Sequence, residues 1–66
     1  MLKHYRQKMG LTQAELAGRT NIPQNVISQL ENSRIPAFPA WRKRICRVFK
    51  IEESEIFNEK GYVRQE

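Results

Sequence analysis

Thr12-Gln13-Ala14-Glu15-Leu16-Ala17 and, after a short gap, Ile22-Pro23-Gln24-Asn25-Val26-Ile27-Ser28-Gln29-Leu30-Glu31-Asn32 decide how this chain folds. The spacing predicts two short helices joined by a tight turn. Leu16 and Ala17 fall on the inward side of the first, Ile27 and Leu30 on the inward side of the second, and Ile22 anchors the turn. Ala17 is small where two steeply crossing helices must approach closely. Asn21 occupies the turn, where a residue tolerant of positive φ is needed. This assignment leaves Gln24, Asn25, Ser28 and Gln29 on the outward face, toward the start of the second helix. An exposed row of amides on such a unit points to reading DNA rather than to catalysis.

Outward from this unit, Leu2, Tyr5 and Met9 at i, i+3 and i+7 predict a first helix over Leu2–Met9, ended by Gly10. Thr12 followed three residues later by Glu15 is a capping box, so helices over Gln13–Thr20 and Gln24–Asn32 are expected. Ser33 to Phe38 reads as a loop containing Pro36, and Pro39 suits the first turn of a fourth helix. On that helix Trp41, Ile45, Val48 and Phe49 make one apolar stripe, with Arg42, Lys43, Arg44, Arg47 and Lys50 on the remainder and Cys46 at its edge. Glu53–Phe57 reads as a short fifth helix. Asn58–Glu66 is left as a strand, a docked arm or a disordered end. The expectation is an all-α bundle of about five short helices over residues 1–57, with 58–66 a tail, flexible or dimer-associated.

Sixty-six residues allow one domain with a small core. One cysteine forms no internal disulfide, and Cys and His are too few for a structural zinc site. No cofactor is expected. No apolar run approaches a membrane span and no signal-peptide pattern opens the chain, so a soluble, cytoplasmic protein is expected. Net charge is +5, unevenly spread. Residues 1–51 hold ten Lys/Arg against Glu15 and Glu31, while residues 52–66 hold five Glu against Lys60 and Arg64. A basic body with an acidic end suits a domain that lays one face on a phosphate backbone.

The blocks Gly10-Leu11-Thr12-Gln13-Ala14-Glu15-Leu16-Ala17 and Ile27-Ser28-Gln29-Leu30-Glu31-Asn32 resemble the Cro/C1-type (Xre) helix-turn-helix family, lambdoid phage repressor DNA-binding domains in particular. The likeness extends more loosely from about Leu2 to Phe57. It implies that Gln24, Asn25 and Gln29, with Ser28 on the same face, point at base edges, where an amide matches the N6–N7 edge of adenine. It implies that Gln13 touches the DNA backbone and braces the recognition helix, and that Arg6 and Glu31 form a salt bridge between the first and third helices. The family usually has Ser or Thr where this chain has Pro23, which supplies neither hydroxyl nor N–H. The phosphate contact made by that hydroxyl therefore does not carry over.

Asn32, Arg34, Lys43 and Arg47 are further candidates for the DNA backbone, each weighed against capping or plain solvation. Trp41 and Cys46 read as packed side chains. His4, the only histidine, has no cysteine or carboxylate at catalytic spacing, and no phosphate-cradling Gly loop or carboxylate pair is present. The expected function is double-stranded operator binding as a homodimer, repressing transcription, with Ile56, Phe57 and Tyr62 as the dimer surface. The alternative is an antitoxin or adaptor whose C-terminal segment binds a protein partner. Single-stranded RNA binding is the weakest reading, because the aromatics fall at core positions.

Overall fold

A computed structural model of the chain describes residues 1–65. Its helices are α1 (Leu2–Lys8), α2 (Gln13–Thr20), α3 (Gln24–Glu31) and α4 (Pro39–Phe49), followed by a 3₁₀ turn at Glu53–Glu55. The capping box at α2 is formed: Glu15 N–H donates to Thr12 Oγ1 at 3.0 Å and Thr12 N–H to Glu15 Oε1 at 2.9 Å. The Thr12 N–H and hydroxyl hold the Glu15 carboxyl below its ordinary range. Pro39 stands in the first turn of α4.

All four helices stop in the same way. A residue at positive φ follows each one: Gly10, Asn21, Ser33 and Lys50. The next N–H then reaches back to the last turn: Leu11 to the Arg6 carbonyl, Ile22 to Ala17, Arg34 to Gln29 and Ile51 to Cys46. This closure satisfies carbonyls that a helix end leaves open, and after α1, α2 and α4 it folds an apolar residue inward. Leu11 and Ile22 are buried as a result.

The core gathers Leu2, Leu16, Ile22, Ile27, Leu30, Ile45 and Ile56, with Trp41, Val48 and Phe49 packed partly against it. α3 packs on α2 and α1, and α4 packs on α2 and the 3₁₀ turn. The α1 stripe differs from expectation. Met9 is 46 % exposed, because α1 ends at Lys8 and the chain turns away at Gly10. The inward position is instead Arg6, one turn after Leu2.

The expected fifth helix is reduced to one 3₁₀ turn. The Asn58 side chain accepts from the N–H groups of Lys60 (2.9 Å) and Tyr62 (3.1 Å), a local competitor that stops helical propagation. The chain doubles back, pairing Phe57 with Val63 in an isolated antiparallel bridge. Residues 58–65 are therefore a docked arm. Ile56 is fully buried and Phe57 2 % exposed within their own chain, so neither presents the dimer surface expected of them. Val63 closes over that side of the core, a contact between residues with no shared sequence period. Tyr62 is half-buried. Among the described residues no helix is long and apolar enough to cross a membrane.

Candidate nucleic-acid interface

Helix α3 divides cleanly into two sides. Ile27 and Leu30 are fully buried and Glu31 is 8 % exposed. Gln24 and Asn25 are exposed at its N-terminal turn, with Ser28 and Gln29 half-buried beyond them. The four residues expected to read bases thus share the side of α3 opposite the core, although only the first two project freely. Pro23 stands at the N-cap and no side chain caps this helix, unlike α2.

The buried end of α3 is held by charge. Arg6 Nε donates to Glu31 Oε2 at 2.6 Å and Arg6 Nη2 to Glu31 Oε1 at 3.3 Å. Arg6 Nη1 donates to the Leu11 carbonyl at 2.8 Å, tying the end of α1 to the same network. Gln13 Nε2 reaches the Glu31 carboxylate at 3.0 Å from the start of α2. One carboxylate therefore gathers donors from α1 and α2. Among the described residues no buried side-chain polar atom lacks a partner. Gln13 braces α3 through this bond while remaining half-buried. Its link to Glu31 is a contact that sequence spacing alone did not show.

Asn32 is exposed and its Nδ2 donates to the Ser28 carbonyl at 3.0 Å, so the side chain already closes the end of α3. Arg34 is exposed two residues further on. Lys43 and Arg47 are also exposed, but they lie elsewhere. With Lys50 they line an open cleft of about 640 Å³ between α4 and the 3₁₀ turn, whose other wall is Glu52, Glu53 and Glu55. Their charged neighbours there are carboxylates, which weaken them as a phosphate clamp. Arg42 is committed to structure: Nε donates to Glu53 Oε1 at 2.9 Å and Nη1 to the Ala37 carbonyl at 2.6 Å. Cys46, at the base of the cleft, is 6 % exposed. Burial, then the nearby Glu53 and Glu55 carboxylates, push its thiol up to about 11.

One aromatic stands out on the surface. Phe38 is 64 % exposed at the N-cap of α4, its ring 4.7 Å from that of Trp41. The sequence reading missed it, having placed the aromatics mostly in the core. The absence of any charged residue from Ile35 through Trp41 was the signal available.

Comparison with known protein families matches a model described as Helix-turn-helix to residues 2–56. No curated protein and no solved structure matches the chain.

Proposed function

Because the chain belongs to the Cro/C1-type helix-turn-helix family of DNA-binding regulators, we propose that it is a cytoplasmic repressor that binds a palindromic operator as a homodimer. The observation that carries this reading is the exposed pair Gln24 and Asn25 on a helix whose opposite side is fixed by core packing and by the Arg6–Glu31–Gln13 network. Rigid presentation is what base readout requires, since an amide must meet both the donor and the acceptor of adenine together. Gln24, Asn25, Ser28 and Gln29 read bases. Gln13, Asn32 and Arg34 fix register on the phosphates, and Lys43 and Arg47 add to the positive field from further away.

Dimerisation needs a surface other than Ile56 and Phe57. Half-sites one helical turn apart hold two recognition helices about 34 Å from centre to centre. Each body measures 26 × 21 × 20 Å, smaller than that spacing, which favours a small contact between two copies. Phe38, backed by Trp41, is a large apolar side chain that is exposed. A contact this small gives a weak dimer in solution that tightens on DNA. Of the four residues on which the adaptor reading rested, Ile56, Phe57 and Val63 are buried and Tyr62 is half-buried, which favours the operator-binding reading.

In vitro selection from a random DNA pool, followed by footprinting, tests the reading. An inverted repeat protected on both halves supports it. No enrichment, or saturation at one protomer per duplex, overturns the operator-bound dimer.

A further inference from the structure

We propose that the C-terminal arm is a positioning element for the recognition helix, acting from a distance on base readout; the DNA half of this inference rests on the function proposed above. Arm and helix meet at the C-terminal end of α3, where backbone carbonyls would otherwise be left open. Gln65 Nε2 donates to the Glu31 carbonyl at 3.1 Å and also to Ser33 Oγ. Ser33 Oγ in turn donates to the Val63 carbonyl at 2.7 Å. Just beyond, Ala37 N–H donates to the Gly61 carbonyl at 2.9 Å, so the loop leaving α3 is tied to the same arm.

The arm can hold α3 because it is itself anchored. Val63 is 2 % exposed and bridges Phe57, and Arg64 N–H donates to the Ile56 carbonyl at 2.7 Å. Gly61 sits at φ +87° with the Arg42 guanidinium, the Ala37 carbonyl and Pro36 packed against it. Glu31 is consequently gripped at both ends. Arg6 and Gln13 hold its carboxylate and Gln65 holds its backbone carbonyl. Packing on α1 and α2 fixes one side of α3, and the arm fixes its far end. Because α3 is one short helix, loosening its end at Ser33 loosens the presentation of Gln24 and Asn25 at its other end.

The test separates positioning from stability. Ser33 lies at φ 56°, a conformation glycine adopts without strain, so Ser33→Gly removes the hydroxyl while favouring the backbone. The double variant Ser33→Gly, Gln65→Leu removes both side-chain donors at this junction without adding charge and leaves Val63 in the core. Ser33→Asn tolerates the same backbone and restores a donor. Residue-resolved amide exchange on the full chain should show α3 amides opening about fivefold faster in the double variant, with α2 and α4 unchanged. On a palindrome selected by the wild type, affinity should fall about tenfold, the low end of what three ordinary hydrogen bonds are worth, and affinity for scrambled duplex should hold within about twofold. Ser33→Asn alone, which keeps Gln65, should leave both readouts near the wild type.

Unchanged α3 exchange, or equal acceleration of every helix, overturns the arm's positioning role. Equal losses on selected and scrambled DNA overturn its part in readout. If the wild type selects no sequence, the operator function fails, and α3 exchange still decides whether the arm holds the helix.

Discussion

Replacing Arg6 by alanine should come close to unfolding this protein, whereas replacing Arg6 and Glu31 together by apolar residues should not. The two side chains are 10 % and 4 % exposed and joined at 2.6 Å. Arg6→Ala leaves the Glu31 carboxylate buried with Gln13 as its remaining side-chain donor, and takes a donor from the Leu11 carbonyl as well. Breaking a buried pair from one side costs about 3–5 kcal/mol. Ordinary per-residue stability gives a chain of this length only about 3–10 kcal/mol in total. The single variant should therefore lose a large part of its stability, with Tm falling by more than about 12 °C. Arg6→Met with Glu31→Leu removes both charges at similar volume, and its stability should lie within about 1 kcal/mol of the wild type or above it. DNA recognition should separate from stability in that double variant, because Gln13 loses the carboxylate that ties it to α3. Urea titrations followed by circular dichroism supply the stabilities, and anisotropy on a selected duplex supplies the affinities. If Arg6→Ala costs less than about 1 kcal/mol, the pair is not the structural lock described here.

Gln24→Ala and Asn25→Ala should each cost about 1–3 kcal/mol on the selected site and little on scrambled DNA, whereas Arg34→Ala should weaken both alike and reduce the log–log salt slope by about 1; loss of the same size on every sequence would remove α3 as the reader. Gly61→Ala should destabilise by about 1–3 kcal/mol in thermal melts, because its Cβ would stand 3.0 Å from Arg42 Nη1 and 3.1 Å from the Ala37 carbonyl on a left-handed backbone. Cys46 contributes at alkaline pH: the unfolded thiol releases its proton near 9, the folded one holds it to about 11, so unfolding free energy should decline across that window. Cys46→Ala should flatten that part of the stability–pH profile, and an unaltered slope would place its cause elsewhere.

Signals carried by neighbouring residues were legible in the sequence. The Thr12–Glu15 capping box, the turn at Asn21 and the start of α4 at Pro39 each depend on chemistry within a few residues, and all three are formed. Arg6 was legible only through the family likeness, because apolar periodicity favours Met9 over a charged residue whose burial depends on a partner 25 positions away. The sequence left the arm as one of three readings, and nothing local chose among them. Phe57 and Val63 are isolated apolar residues, and their pairing follows from a turn set by one asparagine side chain. Ile56 and Phe57 read as exposed for that reason. Lys43 and Arg47 have exposure visible in the α4 pattern, but the carboxylates facing them come from the next element.

The left-handed residues that end α2, α3 and α4 give this small protein room to change. Asn21 tolerates its φ of 56°, while Ser33 and Lys50 hold φ of 56° and 57° against the preference of an L side chain. Such a conformation costs a residue with a Cβ roughly 1–2 kcal/mol relative to glycine, so Lys50→Gly should stabilise the fold. Altering Gln24 or Asn25 to suit a different operator carries the ordinary risk that a new surface residue weakens the fold. A glycine at Lys50, away from the reading side of α3, could absorb that loss. On the proposed function, the capacity to acquire a new binding sequence resides partly in how α4 ends, on a different helix from the proposed readers.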